Sequence, residues 1–417
     1  MIKYHRYILK NGLRVIIHED RSTPMVAINV LYDVGSKDED RNRTGFAHLF
    51  EHLMFGGSAN IPDFDGPIQL AGGENNAFTN TDITNFYDLL PAQNIETGLW
   101  LESDRMMQLD FSEKALNVQK KVVVEEFKET CLNVPYGDLW HHLSALAYKD
   151  HPYQWPTIGR IPEHIQEAQL DDVKSFFNRF YCPQNAILVI AGNVVPNDAY
   201  RLTEKWFSQI EPGPKNIRNL PQEKIQTEYR FRKVNADVPL PMITLGFHMP
   251  DRLHPDYYVY DLLSDVLANG VSSRFYRRLV MDNPIFSDLD AFITGTNEAG
   301  LFVITGKPLP DKNIADIKKL LWKELHDLQD IKIEDRELQK LKNKAESNLV
   351  LSEISILHKA MSLAYFEMLG DVEEINRESE KYQQITIEDI QRVARLTFRK
   401  ENCSEVMYLP ASDTQKE

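Results

Sequence analysis

The chain has 417 residues, 42% hydrophobic and 26% charged, the balance of a soluble globular protein with room for two or three domains. Its 47 basic and 62 acidic residues leave a net charge of −15, which argues against nucleic acid as the main partner, because phosphate binding needs a basic surface. Cys131, Cys182 and Cys403 are too widely spaced for a disulfide framework or a zinc knuckle, and no apolar run approaches the ~18 residues of a membrane helix.

The N-terminus is broken by Lys10, Asn11 and Arg14 and has no signal-peptide pattern. A cytoplasmic chain is therefore expected, or a periplasmic one if a leader has been removed. Tyr7-Ile8-Leu9 reads as a strand running into Asn11-Gly12, a hairpin turn signal, and Leu13 to His18 reads as its partner. Met25 to Val34 predicts another strand. A charged loop from Ser36 to Arg43 precedes a helix from about Gly45 to Phe55, and a long helix is expected over Ser112 to Thr130.

From Tyr229 the order repeats: strands over Arg230 to Val234 and Pro241 to Met249, a charged stretch from Pro250 to Asp256, then a helix from Tyr257 to Ala268. With an offset of 213, His48-Leu49-Phe50-Glu51-His52 meets Asp261-Leu262-Leu263-Ser264-Asp265, so the apolar pattern survives while the polar residues change. The segment Glu211 to Glu223, with three prolines, suits a linker. The expectation is two homologous α+β domains, residues 1–212 and 213–417, without a strict βαβ rhythm. The polar tail Ser412 to Glu417 is expected to fray.

His48, Glu51 and His52 form an HxxEH pattern. Residues four apart share a helix face, so both imidazoles can address one ion, and Glu51 lies within reach of it. A catalytic zinc needs a third protein ligand and an open position. The Ser112 to Thr130 helix offers Glu126, on an apolar stripe with Val122 and Val123, where an acid needs a partner. Glu129, one turn on, is the other candidate, and Glu125 falls off the stripe. Arg274, Arg277 and Arg278 read as a solvated basic face, and His141-His142 as surface or half-buried histidines.

These residues, with Val122-Val123-Val124-Glu125-Glu126, resemble the pitrilysin family of zinc peptidases, which includes insulysin and the mitochondrial processing peptidase. Gly72-Gly73-Glu74-Asn75-Asn76-Ala77-Phe78-Thr79, His151-Pro152-Tyr153 with Thr157-Ile158-Gly159, and Tyr181-Cys182-Pro183-Gln184-Asn185 extend the resemblance over most of residues 5 to 200. It implies a mitochondrial processing peptidase-like metallohydrolase fold, each α+β domain a mostly antiparallel sheet with helices packed on it. It implies zinc held by His48, His52 and Glu126, with Glu51 as general base for peptide hydrolysis. It also implies that Asn76, Ala77, Phe78 and Thr79 lie on a sheet edge that takes up substrate as an extra strand. Manganese or cobalt would suit the same ligands, although zinc is the usual occupant.

Two departures stand out. Where the family often has a further glutamate, seven residues before the ligand glutamate, this chain has Gln119, so support behind the ligands would have to come from Gln119 or Glu129. The family's assemblies also bring an Arg and a Tyr over the zinc from the second half or from a partner. Here Phe302 stands at the matching place, and no Arg or Tyr occurs between Leu279 and Asp335. The expected partner is therefore an inactive homologous subunit that supplies both in a heterodimer, with a homodimer as the other arrangement. A non-catalytic assembly subunit and a zinc hydrolase of another substrate class are the competing functions.

Overall fold

The computed structural model describes residues 1–310, 312–330 and 332–411; the polar tail at 412–417 lies outside them. The chain forms two α+β units, and neither is contiguous in sequence. One unit comprises Met1–Phe127, Trp155–Leu220 and Leu349–Glu378; the other comprises Lys128–Gln154, Pro221–Asn348 and Ser379–Glu417. A single cut at residue 212 thus does not separate them: residues 128–154 belong with the second sheet and 349–378 with the first. The proline-rich segment differs from a free linker too. Arg218 is fastened to the first unit by ion pairs to Asp38 (2.6 Å) and Asp33 (2.7 Å).

The first unit is built on six strands: β1 (His5–Ile8), β2 (Arg14–Glu19), β3 (Met25–Tyr32), β4 (Glu74–Thr79), β5 (Thr84–Pro91) and β6 (Ala186–Gly192). Their order is β1-β2-β6-β3-β5-β4, with only β2 and β6 parallel. β6, Ala-Ile-Leu-Val-Ile-Ala-Gly, is buried along its whole length, as a central strand covered on both faces must be. One face packs Val26, Ile28, Val30, Leu188 and Ile190 against helices that include α1 (Phe46–Phe55), Glu113–Phe127 and Leu170–Phe180. The other face packs Ala27, Leu31, Ile187 and Val189 against Ala360, Leu363 and Ala364 of helix Ile356–Leu369.

The second unit has β7 (Arg230–Ala236), β8 (Met242–Met249), β9 (Phe286–Ile293), β10 (Gly300–Pro308) and β11 (Cys403–Pro410), in the order β7-β11-β8-β10-β9 with only β7 and β11 parallel. That is the topology of β2-β6-β3-β5-β4, so the duplication seen in the apolar pattern is a duplication of fold. Leu143 and Ala147 of helix Leu139–Ala147 cover one face, over Val303, Val406 and Tyr408. Of the three arginines read as a solvated basic face, Arg277 is exposed, whereas Arg274 and Arg278 are half-buried and pair with Glu337 (3.7 Å) and Glu324 (2.6 Å). His142 is half-buried, between Asp138 (2.9 Å) and Arg232 (2.9 Å). All three cysteines are buried, and none forms a disulfide among the described residues. Among the described residues no single helix is long and apolar enough to cross a membrane.

Candidate metal centre

α1 is amphipathic at helical spacing: Phe46, Leu49, Phe50 and Leu53 are buried, and Phe50 stacks on Phe176 and Tyr181 with ring centroids 5.1 and 5.0 Å away. Anchoring that face turns His48 and His52, four residues apart, to the opposite side. The helix begins after Gly45, in the left-handed region at φ 91°, and ends at Gly56, whose N–H bonds to the Leu53 carbonyl. Helix Glu113–Phe127 packs beside it through Leu116, Val123 and Val124. Val122 is exposed, so the inward stripe runs through Val123 and Val124 instead, and Glu126 sits half-buried at its border.

The three side chains converge. The two Nε2 atoms are 3.3 Å apart; Glu126 places Oε1 at 3.6 Å from His48 Nε2 and Oε2 at 3.2 Å from His52 Nε2. Ligands about 2.0–2.1 Å from a tetrahedral zinc stand roughly 3.3–3.4 Å from one another, so this spacing and this N,N,O donor set fit the ion. Among the described residues these three form the group of His, Cys, Asp and Glu able to hold a metal. Burial pushes the His48 imidazole down to about 4, which leaves it neutral, with a lone pair to offer, at physiological pH. The hydrogen bond from His52 holds the Glu126 carboxyl below the ordinary value, against burial. His48 Nδ1 is buried and has no hydrogen-bond partner among the described residues, so no protein acceptor fixes the tautomer of that ring.

Glu51 lies on the same helix. Burial raises its carboxyl, and the Thr79 hydroxyl, donating to Oε2 at 2.6 Å, opposes the rise. Thr79 ends β4, which pairs with β5 on one side and forms the edge of its sheet. Along β4, Asn75, Ala77 and Thr79 are half-buried while Asn76 and Phe78 are exposed. Thr79, expected among the substrate contacts, gives its side-chain hydroxyl to Glu51. Gln119 lies by Gly56, at the C-terminal end of α1, and Glu129 is exposed in a π-helical turn, Lys128–Leu132, outside the ligand group. Phe302 is fully buried in β10. Glu39, missed in the sequence, accepts backbone N–H groups at the start of α1. The signal was present in Gly45, which gives the helix no side-chain cap of its own.

Two α+β units, one of them presenting a His-His-Glu triangle beside a half-buried glutamate, define a metallopeptidase-type protein. The family models agree: residues 14–160 match Insulinase (Peptidase family M16) and residues 167–345 match Peptidase M16 inactive domain. The chain belongs to the M16 peptidase family. It is 28% identical to the zinc protease PqqE of Helicobacter pylori over 98% of this chain and 93% of that one. It is 25% identical to the uncharacterized zinc protease YmxG of Bacillus subtilis over 84% of each. The crystal structure of a protease from Helicobacter pylori, 28% identical, superimposes with a TM-score of 0.92 over 98% of this chain and 100% of that chain. At family level the chain is therefore a peptidase, and zinc is the metal in its relatives' names.

Proposed function

We propose that this chain is the zinc-bearing subunit of an endopeptidase that cleaves peptides or unfolded segments. The observation that carries the proposal is the convergence of His48, His52 and Glu126 with Glu51 alongside. His48, His52 and Glu126 would hold the ion. Zinc, when bound, supplies Lewis acidity toward the scissile carbonyl and toward water. Glu51 acts as general base: Thr79 occupies Oε2, which leaves Oε1 to take a proton and return it to the leaving amine. Burial serves this role, because a carboxylate raised from its ordinary range is a stronger base near neutral pH. The unpaired side of β4 offers backbone groups to an extended peptide, a mode that selects unfolded chain and tolerates varied side chains.

The partner proposed is a homologous inactive subunit contributing an Arg and a Tyr, because residues 279–335 contain neither and Phe302 is committed to the core. The test is cleavage of an unstructured peptide mixture by the purified zinc-loaded chain, with Glu51→Gln as the blank. Metal-dependent cleavage lost in the blank, with zinc retained, is expected once the partner is present. Full activity in Glu51→Gln would overturn the assignment of the base. Full activity of an isolated homodimer would overturn the heterodimer. A zinc-loaded chain inactive with every homologous partner would favour the scaffold role.

A further inference from the structure

The N-terminal end of α1 is capped from outside the helix. Glu39, buried in the first unit, accepts the N–H of Gly45 with Oε2 and that of Ala47 with Oε1, each at 2.9 Å. Trp155, also buried, donates its Nε1–H to the same carboxylate (3.1 Å) and to the Ser36 carbonyl (3.0 Å). The segment after Trp155 is moulded to the same spot. Arg160 N–H donates to Thr44 Oγ1 at 2.8 Å, and a Cβ added at Gly159 would stand 3.0 Å from the Thr44 carbonyl and 3.2 Å from Gly45 Cα. A Cβ at Gly45 would in turn meet the Ile158 carbonyl at 2.9 Å. The Thr157-Ile158-Gly159 run and Trp155, unused by the proposed chemistry, therefore have a place against the metal helix.

One consequence follows for the ligands. His48 is the third residue of α1, one peptide beyond Ala47, so the bonds to Gly45 and Ala47 fix the rotation and height of the turn that carries it. A metal site needs its ligands placed to within a few tenths of an ångström. Burial pushes the Glu39 carboxyl up to about 8, so what it gives the helix is two fixed acceptor oxygens rather than a charge. We infer that Glu39, held by Trp155, is a positioning residue for the metal centre: it orients α1 so that His48 and His52 hold a divalent cation. This role rests on the assignment of His48, His52 and Glu126 as metal ligands.

The experiment uses the full chain as wild type, Glu39→Gln and Trp155→Phe. Zinc affinity is measured by competition with a chromogenic chelator, the visible spectrum of the cobalt-loaded protein reports ligand geometry, and amide exchange of the metal-free chain reports the start of α1. Glu39→Gln keeps the shape and turns one of the two acceptor oxygens into an NH2 donor, which cannot receive a helix N–H. It is expected to bind zinc about 10–100-fold more weakly, to shift the cobalt spectrum and to exchange faster at Gly45 and Ala47. Trp155→Phe, which removes one donor, is expected to weaken zinc binding several-fold.

If Glu39→Gln lowers only the melting temperature, with zinc affinity and cobalt spectrum unchanged, the residue is merely structural and the inference is overturned. Should Glu39→Gln fail to fold, Trp155→Phe decides alone: wild-type zinc affinity and amide exchange in it would overturn the inference. A wild-type chain that takes up no zinc would sink the metal assignment and this role together. Uptake by wild type, matched by Glu39→Gln, would sink this role only.

Discussion

Replacing Lys37 by methionine should expose how the turn beside the candidate metal centre is held. Lys37 Nζ meets Asp82 Oδ1 at 2.7 Å, with side-chain exposures of 4% and 6%. Around this pair the backbone of Ser36 and Lys37 donates to the carbonyls of Asn80 and Thr81, so the ion pair pins the charged loop to the β4–β5 turn just after Thr79. At that distance the gross attraction is about 6 kcal/mol at an effective dielectric constant near 20. Burying each ion costs several kcal/mol, so the intact pair contributes little net stability. Removing Lys37 alone takes the attraction away and leaves the Asp82 carboxylate buried, which costs about 3–5 kcal/mol.

For a unit of this size that loss lowers Tm by roughly 6–20 °C. Calorimetric or guanidinium unfolding of Lys37→Met checks it, and Lys37→Met with Asp82→Leu should recover most of the loss, since neither ion is then buried. A single variant that loses less than about 1 kcal/mol, or a double variant less stable than the single, would refute the reasoning.

Thr79→Val keeps the shape of the side chain and deletes the donor to Glu51. A hydrogen bond to a charged group is worth about 1.5–3 kcal/mol, so kcat should fall roughly 10–150-fold with KM little changed. Because the Thr79 bond pulls the Glu51 carboxyl down, its loss should also move the acid limb of the pH–rate profile to higher pH; an unmoved limb would deny Thr79 this role. Asp261 is raised by burial, although Tyr382 donates to it at 2.6 Å. The folded state then binds its proton more tightly than the unfolded state, so stability from this group is full below the ordinary Asp range and is lost as pH rises through the raised value. Asp261→Asn should therefore melt above wild type at pH 8, with the difference closing towards pH 4; a gap that widens in acid would show the sign to be wrong.

Much of the first unit was legible because its signals are local. Alternation and β-branching mark Arg14–Glu19 and Met25–Tyr32, and i, i+4 spacing puts His48 and His52 on one face before any tertiary contact exists. The repeat was legible for the same reason: Tyr257–Ala268 keeps the apolar spacing of α1, and Asp261 stands where the offset places His48. What escaped the sequence depends on distant residues meeting. Thr79 and Glu51 are 28 positions apart, and Glu39 and Trp155 are 116, with no periodicity linking either pair. The apolar face of Ile356–Leu369 announces that the helix is buried, but not which sheet buries it. Arg274 and Arg278 looked solvated because their acidic partners lie dozens of residues downstream.

The exchange of segments has a consequence for how the protein is made. Ala27, Leu31, Ile187 and Val189 have left the ribosome well before Ala360, Leu363 and Ala364, which cover them, have been synthesised. At about 5–20 residues per second, the roughly 170 residues between Val189 and Ala360 take on the order of 10–30 s to make. Through that interval the first sheet has one apolar face uncovered, so the unit bearing the candidate metal ligands cannot close as an independent early domain. Its completion is tied to nearly full-length chain, and a nascent chain stalled between the two sheets would present a sticky, unfinished surface to chaperones rather than a working half-enzyme.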